Sequence, residues 1–411
     1  MSHGSCDRPQ DLSVTQARER ILSRIEPVPE RQRVATHQAL GRILGEALVA
    51  RHDLPPFSSS AMDGYALRSA DASAPGVVLR SVGRALAGHP YTGRVDPLQC
   101  VRIMTGAPVP PDCDAVIPQE NVEICEGSVR LSFAVTAGDN VRPAGEDFRA
   151  SEEMLPSGHR LRAIDLGLVA SMGLDQLVVT RPITVAYFST GDELQMLGKT
   201  LGPGQIFDSN RPLLAGLFAD SGIELQDLGV IPDDREATRS ALTAAASADV
   251  VVTTGGVSVG EADYVKDCLA ELGQVDIWRV ALKPGRPLTF GRLDRAWFFG
   301  LPGNPVSAVV TYLLFVRPAL QRLAGCPIED PQAWPAIADE PLRKRPGREE
   351  YQRGYCFQDP DGQLRVRSTG SQGSGLIGSL TRGNCFIHLA AESGSVTSGD
   401  VVSVIPYAAC F

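Results

Sequence analysis

Apolar side chains near the start of the chain recur at a helical spacing. Between Asp11 and Ile25 polar side chains separate the apolar ones, which is the pattern of an amphipathic helix. Pro27 and Pro29 follow, and proline cannot continue the hydrogen bonding of a helix. The pattern therefore predicts one helix before residue 27.

Residues 31–149 and 150–180 show two further patterns. In the first stretch short apolar runs are separated by Gly and Pro clusters, which predicts a strand-rich domain. The second stretch returns to short helical and extended segments. We expect it to pack beside the first helix, so that residues 1–30 and 150–180 form a split helical linker and dimerisation domain.

Residues 181–325 alternate apolar strand-like runs with helical stretches. Such alternation predicts a doubly wound parallel sheet with helices on both faces and ligands at the carboxyl ends of its strands. The predicted strands are 183–188, 223–230 and 249–253, the helices are 211–221, 236–247, 262–272 and 306–323, and extended segments are expected near 275–282 and 296–299.

After Pro327 short strands and Gly/Ser turns return, which predicts a small C-terminal β domain over residues 326–411. The predicted fold class is therefore multidomain α/β plus β, with the α/β domain in the centre. A length of 411 residues agrees with several domains.

Charge and composition exclude several classes of protein. A formal net charge of −9 argues against a nucleic-acid binder. No apolar stretch reaches the roughly 20 residues of a membrane span, and the start has no signal-peptide layout. The nine cysteines are scattered and include no C-x-x-C pair. We expect a cytoplasmic protein with free thiols.

Polar clusters follow the predicted strands of the α/β domain at 189–193, 208–210, 233–234 and 253–260. Glycine-rich turns of this kind present backbone N–H groups to a phosphate, although a tight turn alone would also favour glycine. The glycine-rich loop at 253–260 is not followed by G-K-[ST] and does not match G-x-G-x-x-G, so kinase and dinucleotide sites are disfavoured. Nearby carboxylates are candidate Mg²⁺ ligands if they converge, whereas a single one is more often a helix cap or a solvated group. They are Asp192, Glu193, Asp208, Asp233 and Asp263.

Two further turns carry candidate chemistry. Lys283 and Arg286 place two cations on a Pro/Gly turn, which suits a multiply charged anion or a plain surface turn. Residues 301–307, LPGNPVS, begin a helix whose amides and Ser307 hydroxyl could face the same pocket. The six histidines contain no H-x-x-x-H pair, so a zinc enzyme is not expected.

Eight motifs stand in a fixed order along the chain: PPFSSSAMDGYA, RIMTGAPVP, VRPAGED, STGDEL, DSN, TTGGVSVGEADY, KPGRP and GLPGNPVSA. In this order and spacing they resemble the MoeA family, the molybdopterin molybdenumtransferases related to the E domain of gephyrin. The resemblance covers nearly the whole chain. It implies insertion of molybdenum from molybdate into adenylylated molybdopterin with Mg²⁺ and release of AMP, in a homodimer whose site joins the α/β domain of one subunit to the strand-rich domain of the other.

The resemblance also implies roles for individual residues. Those at the catalytic centre are Asp63, Thr105, Asp147, Glu193, Asp233 and Asp263, with Glu146 beside them. Those that bind the pterin substrate are Ser189, Thr190, Gly191, Asp208, Ser209, Gly255, Gly256, Ser258, Pro302 and Asn304. Those that bind molybdate are Lys283, Arg286, Ser307, Arg353 and Ser374, and those that hold Mg²⁺ are Asp192, Glu193 and Asp263.

Two departures from the family pattern affect the site. Ser58 and Ser59 stand where the family more often has D-N or N-N, and Arg286 stands where it has lysine. Expected partners are a molybdopterin adenylyltransferase and the molybdoenzymes that accept the cofactor. The competing hypotheses are that the chain is itself a molybdopterin adenylyltransferase or a molybdopterin-binding scaffold. The GGVSVGEAD loop favours insertion over adenylylation, which typically uses GGTG.

Overall fold

The computed structural model describes residues 11–220, 222–255 and 264–410. Its helices are α1 (Val14–Leu22), α2 (Ala163–Ser171), α3 (Asn210–Leu217), α4 (Arg235–Ala245), α5 (Tyr264–Leu272), α6 (Pro305–Thr311), α7 (Arg317–Leu323) and α8 (Gly378–Arg382). A π-helical turn at Tyr312–Val316 joins α6 to α7. No helix in these ranges is long and apolar enough to span a membrane.

The strands are numbered in chain order. Those of the first half are β1 (Arg31–Ala35), β2 (Leu48–Val49), β3 (Ser59–Ser60), β4 (Gly64–Leu67), β5 (Val78–Ala85), β6 (Gln99–Ile103), β7 (Ala115–Pro118), β8 (Val122–Cys125), β9 (Ser128–Leu131), β10 (Val141–Arg142), β11 (Glu153–Leu155) and β12 (Gln176–Thr180). Those of the second half are β13 (Ile183–Thr190), β14 (Leu194–Gln195), β15 (Ile206–Phe207), β16 (Ile223–Ile231), β17 (Val250–Thr254), β18 (Gly273–Arg279), β19 (Leu282–Lys283), β20 (Pro287–Leu293), β21 (Ala296–Leu301), β22 (Trp334–Ala338), β23 (Glu349–Gln358), β24 (Leu364–Ser368), β25 (Cys385–Leu389) and β26 (Val401–Pro406).

The central α/β domain contains a six-stranded sheet in the order β16-β13-β17-β21-β20-β18. The first four strands are parallel, as the sequence predicts. Strand β20 is antiparallel to both of its neighbours, β21 and β18. It falls in a stretch where no strand was predicted. Only Asp294 and Arg295 separate β20 from β21, and so short a connection joins antiparallel strands.

Helices cover both faces of this sheet. Alternate residues of β13 point to opposite sides, so Val185 and Tyr187 pack with α1, α3, α6 and α7. Ala186 and Phe188 pack with α4 and α5 on the other side. The loops that follow the parallel strands lie at the carboxyl ends of those strands, and these loops contain the polar motifs.

The segments before and after the strand-rich domain pair with each other. Strand β1 lies antiparallel to β12, with Arg31 opposite Thr180, and β2 pairs with β11. Leu44 and Leu48 share a core with Val169 of α2. Residues 31–50 therefore pack with residues 148–180, whereas the sequence analysis assigned them to the strand-rich domain.

Helix α1 also lies elsewhere than expected. Its buried side chains Val14, Ala17 and Ile21 belong to the core of the α/β domain, beside α7. Among the described residues the core around α2 contains no residue of α1. The reason is that the π-helical turn and α7 present Leu313 and Leu320 as an apolar surface that α1 covers. The predicted domain limits otherwise stay a prediction.

Two β domains flank these parts. The strand-rich domain has a six-stranded sheet in the order β7-β4-β6-β5-β9-β8. In the C-terminal domain β23, β24, β22, β26 and β25 follow one another, and β25 pairs back to β23 to close a barrel. Strand β19 of the α/β segment extends this barrel by pairing with β23, which brings Lys283 beside Glu350.

Asp165 in α2 makes a testable contribution to stability. Arg162 donates to both carboxylate oxygens at 3.0 Å, and His159 lies 2.8 Å away. These bonds, those from Arg162 foremost, hold the pKa of Asp165 well below its usual range. A lowered folded-state pKa stabilises the fold above the unfolded-state pKa of about 4, and this contribution is lost as the pH falls.

We therefore expect Asp165→Asn to lower the melting temperature near pH 7 and the difference from wild type to shrink towards about pH 3. Thermal unfolding followed by circular dichroism at several pH values measures this. Asp175→Asn, at an exposed position after the same helix, is the control. A difference that does not depend on pH would show that the carboxylate charge is not the cause.

Candidate functional site

Backbone close approach shapes the carboxyl edge of the α/β sheet. Gly255 follows β17 with a φ of 83°, in the left-handed region. A Cβ there would lie 2.6 Å from the carbonyl oxygen of Thr190, so only glycine fits. A Cβ on Gly303, after β21, would lie 3.7 Å from the Cα of Gly255. The loops after β13, β17 and β21 therefore meet at one place.

Hydroxyl groups fill the interior just below this edge. The Tyr187 hydroxyl lies 2.7 Å from the Ser189 Oγ and 2.8 Å from the Thr254 Oγ1. Burial raises the pKa of Tyr187 well above its ordinary value. Ser189 is fully buried, so its side chain supports the edge from inside.

Three carboxylates stand on the loops after β13 and β16. Asp233 donates its backbone N–H to the Asp192 carboxylate at 3.0 Å, and the Asp192 N–H lies 3.4 Å from the Asp233 carboxylate. The Glu193 carboxylate folds back over Gly191, where a Cβ would meet it at 2.5 Å. Asp234 caps α4 by accepting from the N–H of Ala237. Asp192, Glu193 and Asp233 thus stand on neighbouring loops, and their role as a metal site stays a prediction.

Several buried polar atoms at this edge have no hydrogen-bond partner in the described part of the chain: Thr190 Oγ1, Asp208 Oδ2, Asn210 Oδ1 and Thr253 Oγ1. Buried polar groups are normally paired, so such a cluster marks a place for a ligand or water. The sequence analysis did not assign roles to Asn210 and Thr253, although both stand in quoted motifs. Gly256, Ser258 and Asp263 lie outside the described residues.

The start of α6 joins this edge to the C-terminal barrel. Asn304 is the N-cap residue of α6 and stands two residues after the buried Pro302. The N–H of Val306 donates to the carbonyl of Ser374 at 3.1 Å. Ser307 is buried in the first turn of the helix.

Lys283 and Arg353 each make polar contacts with the C-terminal barrel domain. The Lys283 Nζ lies 3.1 and 3.2 Å from the two carboxylate oxygens of Glu350, which is almost fully buried. Arg353 is buried and donates to the Ser379 Oγ and the Gly373 carbonyl, each at 2.9 Å. Burial lowers the pKa of Arg353, and no carboxylate pairs with it among residues 11–220, 222–255 and 264–410.

Arg286 is engaged differently from its neighbour Lys283. Its Nε and Nη2 donate to the two oxygens of Asp11 at 2.9 and 3.0 Å, a bidentate pair. This pair ties the segment before α1 to the turn of residues 283–286. The assignment of Arg286 to molybdate binding stays a prediction. It would require the guanidinium to donate hydrogen bonds to Asp11 and to the anion at the same time.

The strand-rich domain carries a separate polar group. Thr105 donates its N–H and its hydroxyl to the same oxygen of Asp63, both at 2.8 Å, and these bonds lower the pKa of Asp63. Asp147 is exposed and donates its backbone N–H to the carbonyl of Leu54. Ser58 is exposed, whereas Ser59 is buried in β3. Among the described residues no hydrogen bond or ion pair joins Asp63, Thr105 or Asp147 to the carboxylates of the α/β domain.

A cavity of about 850 Å³ lies away from these motifs, between α1, the α6–α7 segment and the barrel. Val14, Leu313, Tyr351 and Phe386 contribute to its wall. None of the predicted site residues lines it.

The fold and the site together define a class: multidomain proteins in which polar loops edge a central α/β sheet, between a strand-rich domain and a β-barrel. Three family models match successive parts of the chain. They are the MoeA N-terminal region (domain I and II) over residues 12–173, a probable molybdopterin binding domain over 186–322, and the MoeA C-terminal region (domain IV) over 335–407.

Comparison with individual proteins points to the same family. A molybdopterin molybdenumtransferase of Haemophilus influenzae is 40% identical over 96% of this chain and 98% of its own length. Gephyrin of Dictyostelium discoideum is 32% identical over 92% of this chain and 59% of its own length. A crystal structure of a molybdopterin biosynthesis MoeA protein from Pyrococcus horikoshii matches with a TM-score of 0.84 at 26% identity, over 97% of this chain and all of that one. The chain belongs to the MoeA family of molybdopterin molybdenumtransferases, and the predicted fold class and resemblance are confirmed.

Proposed function

We propose that this protein is a transferase that inserts molybdenum from molybdate into adenylylated molybdopterin, releasing AMP and molybdenum cofactor. The observation that carries the proposal is the loop of residues 302–307. Gly303 accepts a hydrogen bond from Asn210 at the carboxylate edge, and Val306 donates to Ser374 on the cationic side. One loop thus connects the sheet edge that we assign to the pterin substrate with the junction that we assign to molybdate.

The pterin substrate would lie along the carboxyl edge of the sheet. We assign its binding to the backbone and side chains that meet there: Ser189, Thr190, Gly191, Asp208, Ser209, Gly255, Gly256, Ser258, Pro302 and Asn304. The glycine turns let backbone N–H groups approach a phosphate without a Cβ in the way.

Molybdate would lie at the junction with the barrel. We assign its binding to Lys283, Ser307, Arg353 and Ser374, with Arg286 on the same turn as Lys283. Arg353 bonds Gly373, next to Ser374, and Lys283 bonds Glu350 on the same strand as Arg353. A dianion taken out of water needs cations and hydrogen-bond donors around it. The buried and unpaired charge of Arg353 supports this assignment because a buried cation is stabilised by an anion.

Mg²⁺ would be held by carboxylates of the α/β domain, although residues 11–220, 222–255 and 264–410 alone form no group of three acidic, histidine or cysteine ligands. Asp192 and Asp233 are held together through their backbone N–H groups, and Glu193 lies beside Gly191. Mg²⁺ takes one or two protein carboxylates and completes its shell with water and phosphate oxygens. We propose Asp192, Glu193 and Asp263 as its ligands. Bound there, Mg²⁺ would neutralise charge on the phosphate bridge to AMP during its cleavage.

The remaining acids would act from two domains. Asp233 stays beside Asp192 to hold water near the phosphate bridge, while Asp63, Thr105 and Asp147 of a partner subunit would close the site. We therefore propose a homodimer, located in the cytoplasm, that receives its substrate from a molybdopterin adenylyltransferase and passes its product to molybdoenzymes. Adenylylation and a scaffold role are not favoured, because relatives matched over more than nine tenths of their own length are named molybdopterin molybdenumtransferases.

Release of AMP tests the proposal directly. Purified protein incubated with adenylylated molybdopterin, molybdate and Mg²⁺ should release AMP, and omission of either molybdate or Mg²⁺ should stop it. Tungstate in place of molybdate measures the selectivity for the anion. Tight binding of the pterin substrate without AMP release under any of these conditions would favour a binding protein over an enzyme.

A further inference from the structure

Two buried side chains at the start of α3 each leave one oxygen without a partner. Asp208 is 4% exposed and Asn210 is 7% exposed. The unpartnered atoms are Asp208 Oδ2 and Asn210 Oδ1. Leaving such an acceptor buried and unpaired is unfavourable, so a ligand that satisfies both would be stabilised.

The other atoms of these side chains are already committed. Asp208 Oδ1 accepts the backbone N–H groups of Asn210 and Arg211, each at 3.1 Å, and so caps the helix. Asn210 Nδ2 donates to the carbonyl of Gly303 at 2.7 Å. These bonds leave Asp208 Oδ2 and Asn210 Oδ1 as the atoms available to a ligand. Both are acceptors, and no cation pairs with Asp208 in the part of the chain that the structure describes.

The chemistry of the two acceptors selects their ligand. A carboxylate oxygen and an amide oxygen would repel a phosphate or molybdate oxygen, because both sides are acceptors. They suit a group that offers N–H donors. A charge-assisted bond from an amino group to a carboxylate is the stronger kind.

We propose that Asp208 and Asn210 bind the amino-bearing edge of a heteroaromatic ring in the substrate. The inference rests on the proposed function, which brings two such rings to the site, the pterin and the adenine of its AMP group. Asp208 and Asn210 would then select the ring, while the glycine turns and the cations hold the anionic groups.

Asp208→Asn is the sharpest variant. Its amide oxygen can keep the cap on α3, while an NH₂ group replaces the unpartnered oxygen and turns an acceptor into a donor. Asp234→Asn is the matched control, because Asp234 also caps a helix of this domain through one oxygen. Asn210→Ala removes the second acceptor. Melting temperatures of all variants show whether each has folded.

Calorimetric titrations with AMP, inosine monophosphate and molybdopterin, without molybdate, distinguish the two rings. If adenine is bound, wild type prefers AMP to the inosine nucleotide, and Asp208→Asn weakens AMP about ten- to a hundredfold and reverses the preference. If the pterin is bound, Asp208→Asn weakens molybdopterin by a similar factor and leaves both nucleotides unchanged. Asn210→Ala should weaken binding of the same ligand, and Asp234→Asn should leave the binding of all three ligands unchanged.

Other results would overturn the inference. Affinities within twofold of wild type in a folded Asp208→Asn variant would do so. So would a higher Mg²⁺ requirement with unchanged ligand affinity at saturating Mg²⁺, because the two oxygens would then hold the metal. A wild-type protein that binds neither nucleotide nor molybdopterin would refute the proposed function as well, whereas the first two results leave that function intact.

Discussion

Replacing Lys283 by alanine is expected to raise the molybdate concentration needed for half-maximal AMP release about ten- to a hundredfold. An ammonium group has three N–H donors, and the two oxygens of Glu350 engage part of this capacity at 3.1 and 3.2 Å. The side chain of Lys283 remains 43% exposed, so its charge is accessible to an anion. Loss of one charged hydrogen bond to a dianion accounts for the expected factor.

The same substitution also affects stability, because it leaves the buried carboxylate of Glu350 without its cation. Glu350→Gln separates the two effects. It removes the buried negative charge and keeps Lys283, so it should lower stability without raising the molybdate requirement. Lys283→Arg should restore much of the molybdate affinity, and Lys199→Ala, at an exposed lysine, is the control.

Steady-state AMP release against molybdate concentration, together with the binding of adenylylated molybdopterin, decides the assignment. Excess molybdate should restore much of the activity of Lys283→Ala. Weaker pterin binding with an unchanged molybdate requirement would place Lys283 at the phosphate instead. Arg286→Ala tests its neighbour in the same assay, where the bidentate pair with Asp11 leads us to expect a smaller effect on molybdate than at Lys283.

Local patterns predicted the parts of the fold that depend on neighbours in the chain. The strands Ile183–Thr190 and Val250–Thr254 are apolar runs that end in Gly-containing turns, and both appear where expected. Their motifs then meet at one edge because parallel strands end on the same side. The grouping of Asp192, Glu193 and Asp233 follows from this topology.

Contacts distant in sequence were beyond the reach of such patterns. Lys283 and Glu350 are 67 residues apart, and Arg286 and Asp11 are 275 apart, so no local spacing indicates either pair. The packing of α1 on the π-helical turn and α7, instead of beside α2, likewise depends on an apolar surface formed by residues 313–323. The unpartnered oxygens of Asp208 and Asn210 become visible only once packing shows which of their atoms are already bonded.

Two inactive variants should restore each other if the active site is shared between subunits. Asp63 lies on the strand-rich domain and Glu193 on the α/β domain, and no described hydrogen bond or ion pair links their surroundings. We expect Asp63→Asn and Glu193→Gln each to lower AMP release about a hundredfold as homodimers, since each removes a charge from the proposed site. Both changes are nearly isosteric, so the fold should persist.

The decisive sample is a heterodimer of the two variants, obtained by co-expression with different affinity tags and purification on both. In a shared-site dimer one site combines both lesions and the other has none, so the heterodimer should recover about half of the wild-type activity. In a site built within one chain every site keeps one lesion, and activity would stay near the level of the homodimers. A doubly tagged dimer with Asp63→Asn in both subunits controls for the tags. Failure to isolate any doubly tagged dimer would contradict the shared site, and so would recovery no greater than in that control. Asp63 and Glu193 would then act within one chain, or would not belong to the same site.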